Sequence, residues 1–319
     1  MTVSLVTGGG GFIGSHLVEA LLAEGHIVRV VDDFSTGKRE NLATVAAKIT
    51  LHEISITHAN ALQEVMQGVD YVFHQAAIAS VPRSIEDPLL CHEVNVTGTL
   101  NVLNVARQAG VKRVIYAASS SAYGDIEGDA QDESMPPKPL SPYGAAKLAG
   151  EYYMQSFYHV YGLETVCLRY FNVFGPRQDP NSEYAAVIPK FATAMLKGQA
   201  PTIFGDGKQS RDFTYIANTI QGNLLAMQSH AAVGQVINLA CGQRQTLLDV
   251  VRVINDYLGS SIKPVLAPAR PGDIKHSKAD ISKAEELLGY KPATSFTDGV
   301  YRTVSWFASQ MPRKFDSCV

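Results

Sequence analysis

The sequence predicts an α/β fold, in which a doubly wound parallel sheet is joined to a smaller mixed α/β lobe. Short apolar runs alternate with segments of helical periodicity through the first half of the chain. This alternation is typical of β-α-β units with right-handed crossovers. Strands are predicted at 3–7, 27–31, 71–74, 113–117 and 165–169, and helices at 14–24, 59–66, 94–108 and 143–161.

The alternation weakens after residue 175, where prolines become frequent and the apolar runs become short. We therefore expect one lobe over 1–175 and a second over 176–319. A segment at about 211–240 is expected to return to the main sheet. Helices are predicted near the end of the chain at 247–258, 283–288 and 299–309.

Composition excludes several classes of protein. Lys and Arg number 27 against 30 Asp and Glu, and the resulting charge of −3 argues against a broad basic face for nucleic acid. The four cysteines lack CxxC spacing and the nine histidines are scattered, so we expect no metal site and no disulfide framework. With no apolar run of about 18 residues and no leader segment, a cytoplasmic protein is expected.

A glycine-rich turn follows the first predicted strand, in the run TGGGGFIG at 7–14. Gly9, Gly11 and Gly14 satisfy GxGxxG, whereas Gly8, Gly11 and Gly14 satisfy GxxGxxG, and the sequence leaves both registers open. In either register the backbone can approach a pyrophosphate at the N-terminus of the following helix. The alternative is a tight turn without a ligand, but the strand-turn-helix context favours a dinucleotide and a Rossmann-type sheet.

Asp32 comes directly after the second predicted strand, 18 positions after Gly14. A carboxylate there can accept hydrogen bonds from both ribose hydroxyls of an adenosine and repels a 2′-phosphate, so NAD is favoured over NADP. Lys38 and Arg39 could in principle neutralise such a phosphate. We interpret them instead as a solvated face.

Tyr143 and Lys147 lie one turn apart on a predicted helix and therefore share a face. Ser119, Ser120 and Ser121 follow another strand, whose carboxyl end should lie beside the cofactor. An ammonium and a positive nicotinamide ring would lower the pKa of the tyrosine, which predicts oxidation of an alcohol by proton and hydride removal. The alternative is a surface Tyr-Lys pair beside a serine-rich turn.

With these motifs the chain resembles the extended short-chain dehydrogenase/reductases, and among them the UDP-sugar 4-epimerases. The resemblance covers nearly the whole chain. It is carried by TGGGGFIGSH at 7–16, VDDFSTGKRENL at 31–42, HQAAIASVPRSIEDP at 74–88, NVTGTLNVL at 95–103, ASSSAYGD at 118–125, SPYGAAK at 141–147, RYFNVFGPRQ at 169–178, GDGKQSRDF at 205–213 and RPGDIKHSKAD at 270–280.

The resemblance implies a role for each matching residue. The catalytic residues would be Ser119, Tyr143 and Lys147. NAD would be bound by Gly8, Gly11, Phe12, Ile13, Gly14, Asp32, Ser55, Ile56, Ala76, Ala77, Tyr143 and Lys147. The UDP-sugar would be bound by Ser119, Ser120, Asn172, Val187, Arg211, Arg270, Asp273 and Ser277.

The implied chemistry is redox-neutral inversion at C4 of the sugar. Related 4,6-dehydratases carry Thr-Asp-Glu where this chain has Ser119–Ser121, and related decarboxylases place Glu at the last position. With three serines there is no acid to protonate a leaving hydroxyl, so the reaction should stop at oxidation and re-reduction.

The resemblance is closest to epimerases of UDP-N-acetylglucosamine and UDP-N-acetylgalactosamine. Ser277 stands where epimerases restricted to plain hexoses carry Tyr, and the smaller side chain would leave room for a 2-acetamido group. UDP-glucose and UDP-galactose are possible further substrates. The alternatives are a UDP-glucuronate 4-epimerase, a sugar reductase that releases NADH, and a catalytically idle nucleotide-binding protein.

Two further expectations follow from the family. Ser55 replaces the usual Asp of the adenine pocket and can accept a hydrogen bond only without charge assistance. Family members usually pair through helices that match 94–108 and 143–160, so a homodimer is expected.

Overall fold

The computed structural model describes residues 1–125, 128–180, 187–269 and 276–311. Its strands are β1 (Val3–Thr7), β2 (Ile27–Val31), β3 (Ile49–His52), β4 (Tyr71–His74), β5 (Arg113–Ser119), β6 (Glu164–Tyr170), β7 (Val173–Phe174), β8 (Thr202–Phe204), β9 (Ser210–Arg211), β10 (Thr214–Tyr215), β11 (Val236–Leu239), β12 (Gln245–Thr246) and β13 (Val265–Ala267).

The helices are numbered in the same way along the chain. They are α1 (Phe12–Ala23), α2 (Ala59–Met66), α3 (Val81–Glu86), α4 (Pro88–His92), α5 (Thr99–Gln108), α6 (Pro142–Tyr161), α7 (Val187–Leu196), α8 (Ile216–Gln228), α9 (Leu247–Leu258), α10 (Ser282–Leu288) and α11 (Phe296–Gln310). A π-helical turn, Glu93–Gly98, joins α4 to α5, and 3₁₀ segments cover Arg39–Lys48 and Ser120–Ala122.

A seven-stranded parallel sheet forms the centre, in the order β11-β6-β5-β4-β1-β2-β3. The predicted fold class is therefore confirmed. The strand order reverses between β1 and β4, which places a crevice at the carboxyl ends of these two strands. Buried apolar residues fill both faces of the sheet, as expected for strands covered by helices on either side. β11 brings the chain back to the edge of the sheet beside β6.

The rest of the chain after β6 is built from short strand pairs and helices. β7 pairs with β10, β9 with β12 and β8 with β13, while α7, α9 and α11 pack against one another. In this part of the chain an aromatic cluster joins Phe174, Phe213, Tyr215 and Phe296, and the centroids of contacting rings lie 5.7–6.3 Å apart. Across the described ranges, no helix combines the length and apolarity needed to cross a bilayer.

The predicted elements of the first half are confirmed, with differences at their ends. The helix predicted at 94–108 begins earlier, because Pro88 starts α4 under an Asp87 cap and the π turn carries the helix onward. Sequence periodicity misses β3, a short strand with only partly buried side chains, and α7. β3 has no fully buried side chain and therefore gives no apolar run to recognise, unlike β4, which has the same length.

Candidate active site

A cavity of about 500 Å³ opens at the carboxyl ends of the central strands. It extends from the glycine turn after β1 to the serines after β5, and we call it the cofactor cavity. Its wall includes Gly8, Gly11, Phe12, Ile13, Gly14, Asp32, Ile56, Ala76, Ala77, Ser119, Ser120, Tyr143, Lys147 and Asn172. Most residues predicted from the sequence to contact the cofactor therefore surround a single space.

The glycine turn brings the backbone close to that space. Gly8 has a φ of +69°, and a Cβ there would lie 2.7 Å from the Ala76 Cα. A Cβ on Gly14 would collide with the carbonyl oxygen of Gly8, while Gly11 is the N-cap of α1 and lines the cavity. Gly9 instead packs toward Val30. The turn thus uses the Gly8-Gly11-Gly14 register and aims the N-terminus of α1 at the cavity, which fits a pyrophosphate.

Asp32 closes the adenosine end of the turn. Its Oδ2 accepts a hydrogen bond from the backbone N–H of Gly10 at 2.7 Å, and its Oδ1 accepts one from Phe34 at 2.8 Å. Burial raises the pKa of Asp32, and these two hydrogen bonds oppose the rise. Each oxygen keeps a lone pair that can accept from a ribose hydroxyl.

The basic residues after β2 are half-exposed and paired. Lys38 Nζ lies 2.9 Å from Asp179 Oδ2, and Arg39 pairs with Glu53 while its guanidinium lies over the Phe34 ring. This arrangement agrees with a solvated face rather than a phosphate site. It also ties the loop after β2 to a distant segment of the chain.

That distant segment contributes a wall residue that the sequence analysis did not single out. Gln178 lines the cofactor cavity, and its buried Oε1 lacks a hydrogen-bond partner among the described residues. Its neighbours are held on both sides, Asp179 by Lys38 and Arg177 by Glu19 at 2.6 Å. Arg177 has a φ of +67°, unusual for a non-glycine residue, so the turn is held in a strained conformation.

The residues predicted to contact adenine line the cavity only in part. Ile54 and Ile56 line the cavity, but Ser55 does not. The Ser55 hydroxyl accepts a hydrogen bond from Thr57 Oγ1 at 3.0 Å and bonds to the Asp33 carboxylate. A role of Ser55 toward adenine stays a prediction.

The helix α6 presents Tyr143 and Lys147 to the cavity, as their spacing predicts. Ser141 caps its N-terminus, and the Ser84 hydroxyl accepts a hydrogen bond from the Tyr143 backbone N–H at 3.1 Å. Lys147 Nζ donates to the Ala117 carbonyl at 2.7 Å. Burial lowers the pKa of Lys147 to about 8, so its ammonium form still predominates at neutral pH.

The expected lowering of the Tyr143 pKa does not come from the protein groups. Burial raises this pKa, and the hydrogen bond to the Ser119 side chain opposes the rise. In the protein alone, desolvation of a phenolate outweighs one neutral donor, and the expected lowering, which includes the nicotinamide ring, stays a prediction. The positive nicotinamide ring is the remaining charge that could reverse the direction.

Beneath this pair lies a buried histidine that the sequence analysis passed over. His74 hydrogen-bonds to Thr7 Oγ1 at 2.7 Å and Thr99 Oγ1 at 3.0 Å. Burial lowers its pKa to about 3, so the ring is neutral. It joins β1, β4 and α5 below the cavity. Among the described residues, no group of three or more His, Cys, Asp or Glu could hold a metal ion.

A second cavity of about 250 Å³ adjoins the first. Its wall is mainly apolar, with one cation, and consists of Asn172, Val173, Phe174, Val187, Ile188, Gln209, Arg211, Phe213 and Leu247. Asn172 and Val173 line both cavities. Asn172 has a φ of +34°, a left-handed conformation that Asn tolerates better than most residues.

The remaining predicted substrate residues lie near Arg211 or outside the described residues. Ser277 is 9% exposed, and its N–H donates to the Ser210 carbonyl at 3.1 Å, but it does not line either cavity. Arg270 and Asp273 lie outside the described residues. Their predicted contacts with UDP, and that of Ser277, stay predictions.

Asp212, which follows Arg211, is a buried carboxylate that the sequence analysis also missed. Asp212 accepts hydrogen bonds from the backbone N–H groups of Cys241 at 3.0 Å and Ala279 at 3.2 Å. Burial raises its pKa to about 6 against these hydrogen bonds. Asp212 thus ties the chain beside Ser277 to the end of β11.

Comparison with known proteins agrees with this geometry. The profile of the NAD dependent epimerase/dehydratase family matches residues 4–240. The UDP-glucose 4-epimerase of Mycolicibacterium smegmatis is 37% identical over 311 residues, covering 96% of this chain and 99% of that protein.

Two solved structures are similar over 97% of this chain and 99% of their own. The UDP-N-acetylglucosamine 4-epimerase of Methanobrevibacter ruminantium, in complex with UDP-N-acetylmuramic acid, has a TM-score of 0.93 at 43% identity. The UDP-glucuronic acid 4-epimerase of Bacillus cereus, in complex with UDP-glucuronic acid and NAD, has a TM-score of 0.89 at 34% identity.

Proposed function

Since the chain belongs to the family of NAD-dependent epimerases and dehydratases, we propose that it inverts C4 of a UDP-linked sugar. The observation that carries this proposal is the meeting of Ser119, Tyr143 and Lys147 at one wall of the cofactor cavity. The second cavity adjoins the cofactor cavity through Asn172 and Val173, which supports the binding of a substrate next to the cofactor. NAD, held by the glycine turn, Asp32 and Lys147, would supply the hydride acceptor for oxidation at sugar C4 and the hydride donor for re-reduction on the opposite face.

The residues of the cavity divide the proton chemistry among them. Tyr143 takes the proton of the 4-hydroxyl and later returns it, while Ser119 holds the same oxygen by a hydrogen bond. Lys147, fixed by the Ala117 carbonyl, contributes a positive charge beside the phenol and holds the nicotinamide ribose. The three serines 119–121 supply no acid for elimination, which supports epimerisation over dehydration.

We assign UDP binding to the second cavity. An apolar wall of Phe174, Phe213 and Val187 suits a pyrimidine ring, and the Arg211 guanidinium suits a diphosphate. Arg270 and Asp273 would complete the site by their resemblance to family ligands. Anchoring UDP while leaving the sugar loosely held lets the 4-keto intermediate present its other face.

For the sugar, we propose UDP-N-acetylglucosamine and UDP-N-acetylgalactosamine, with plain hexoses as further substrates. The Methanobrevibacter ruminantium relative supports this choice at 43% identity. UDP-glucuronate is the alternative, and the Bacillus cereus relative supports it at 34% identity. Among the described wall residues of the two cavities, Lys147 and Arg211 are the only Lys or Arg side chains, and each is assigned to cofactor or UDP.

A panel of UDP-sugars tests the proposal. Purified protein is incubated without added cofactor with the N-acetylated, plain and uronate forms, and 4-epimers are separated by chromatography. We expect interconversion of the N-acetylated pair and no accumulation of NADH. Conversion of UDP-glucuronate alone would select the alternative, and NADH release would indicate a reductase.

Ser277 is the residue proposed to admit the acetamido group. Ser277→Tyr should lower the rate on UDP-N-acetylglucosamine by about 10-fold or more while sparing UDP-glucose, because a ring would fill that space. Ser277→Ala, which removes only the hydroxyl, is the matched control and should keep both activities. Unchanged turnover of the N-acetylated sugar by Ser277→Tyr would contradict this role.

We further propose that the enzyme is a cytoplasmic homodimer that pairs through the helices near 94–108 and 143–160, which correspond to α5 and α6. Large apolar side chains are exposed on and beside α6: Leu89 on α4 and Tyr152, Val160 and Tyr161 on α6. Such a patch is typical of an interface. Light scattering should give the dimer mass, and Tyr152→Glu combined with Val160→Glu should give the monomer.

A further inference from the structure

A buried ion pair lies directly behind Lys147. Glu151 follows Lys147 by one turn of α6 and is 1% exposed, and Arg169 on β6 is 4% exposed. Arg169 Nε donates to Glu151 Oε1 at 2.9 Å, and Nη2 donates to Oε2 at 2.7 Å. Burying two charges costs free energy that their mutual attraction only partly returns. A role in the adjacent site would account for the pair.

The groups around Lys147 leave it one source of negative charge. The Tyr116 ring lies 4.8 Å from Nζ and the Ala117 carbonyl accepts its hydrogen bond, and both are neutral. Burial raises the pKa of the Cys91 thiol and lowers that of His74 to about 3, so both stay uncharged. Within the described part of the chain, Cys91 and then Glu151 raise the pKa of Lys147 against the effect of burial, and of the two only Glu151 is a carboxylate.

Arg169 fixes where that anion sits. Both carboxylate oxygens of Glu151 accept from the guanidinium, which itself stacks 4.5 Å over the Tyr123 ring. The Tyr123 hydroxyl donates to Asn238 Oδ1 at 2.8 Å, so β6, β11 and the loop after β5 hold the pair in place. Lys147 Nζ therefore remains bonded to Ala117 and directed at the cavity instead of closing onto Glu151.

We propose that Glu151 is a positioning residue that keeps Lys147 charged, and that Arg169 holds Glu151 at a distance where it attracts the ammonium without capturing it. This inference rests on the proposed function, in which a charged Lys147 beside Tyr143 is required. Side chains four residues apart on a helix are about 5–6 Å apart. At an effective dielectric constant of about 20, two charges at this Cβ separation would shift each other's pKa by about two units, and the opposite charge of Arg169 reduces that effect on Lys147.

The test is the pH profile of the epimerisation rate with Glu151→Gln. The active form of Lys147 is protonated, so activity is present below its pKa and lost as the pH rises through it. Removal of the carboxylate lowers that pKa, so the alkaline limb should move about one to two units toward lower pH. Glu151→Asp, which keeps the charge, should restore most of the wild-type position.

Arg169→Met gives a shift of opposite sign. It leaves Glu151 unpaired beside Lys147, so the alkaline limb should move to higher pH while the rate falls, because Nζ turns toward the carboxylate. Glu164→Gln is the matched control: Glu164 also pairs with an arginine, Arg113, but lies at the far end of β6. The proposal would be overturned if the alkaline limb of Glu151→Gln stayed at the wild-type pH. It would also be overturned if Glu164→Gln shifted the limb downward as far as Glu151→Gln does.

A readout that needs no turnover separates this proposal from the proposed function. Competitive acylation of the holoenzyme, with mass-spectrometric quantification of Lys147, follows its titration directly. We expect the Lys147 midpoint to fall by about one to two units in Glu151→Gln. Should none of the UDP-sugars react, that shift would still support the role of Glu151, and its absence would contradict it.

Discussion

The walls of the cofactor cavity come from consecutive strand ends of one sheet, whereas those of the second cavity come from short strands and loops scattered along the chain. In the first, Gly8, Asp32 and Ser119 follow or end β1, β2 and β5. In the second, Asn172 lies between β6 and β7, Val187 begins α7 and Arg211 ends β9, and no shared sheet joins them. Hydrogen bonds between the strands hold the edge of a continuous sheet in place, which agrees with the proposal that the first cavity binds the cofactor and the second binds UDP.

The largest expected effect removes the proposed base in the cofactor cavity while leaving the shape of both cavities unchanged. Tyr143→Phe removes the proton acceptor, and the turnover rate should fall by about 10²- to 10⁴-fold. Bound NAD and the KM for the UDP-sugar should change little, because the ring and its packing stay. Full activity in this variant would show that another group is the base.

A smaller effect should be confined to the second cavity. Arg211→Gln removes the cation proposed to hold the diphosphate, and the KM for the UDP-sugar should rise about 10- to 100-fold. The NAD content of the purified protein should equal that of the wild type. Arg244→Gln is the control, since Arg244 pairs with Asp129 at the surface. Loss of NAD with Arg211→Gln would show that the two cavities are not separable in this way.

The smallest expected effect is on the rate at which NAD is released. Lys38→Ala removes the ion pair to Asp179 beside Gln178, and release of NAD should become about 2- to 5-fold faster, as expected for an exposed pair. Arg39→Ala, which changes the neighbouring cation without touching Asp179, should leave the release rate unchanged. The rate is measured by gel filtration after mixing the protein with excess unlabelled cofactor. Equal rates in the two variants would remove Lys38 from cofactor retention.

The same contrast between the cavities explains what the sequence could predict. Alternating strands and helices are local signals, and they located the glycine turn, Asp32 and the Tyr143-Lys147 face. Whether Gly8 or Gly9 begins the motif depended on the approach of Ala76, a contact between distant segments. Such contacts leave no local pattern.

The missed residues are of the same kind. The Lys38-Asp179 pair joins positions far apart in the chain, and Arg169 meets Glu151 only because β6 packs on α6. One signal was available, since Glu151 continues the four-residue spacing of Tyr143 and Lys147. An acidic residue on the buried face of a helix calls for a partner, and that partner lies on the next strand.

The most direct test of the account follows the hydride itself. UDP-N-acetylglucosamine carrying deuterium at C4 is incubated with the purified protein without added cofactor, and the products are analysed by mass spectrometry and NMR. Redox-neutral epimerisation should give UDP-N-acetylgalactosamine that retains the deuterium at C4, with no NADH in solution. Exchange of the label with solvent, or stoichiometric release of NADH with a ketone product, would contradict redox-neutral epimerisation.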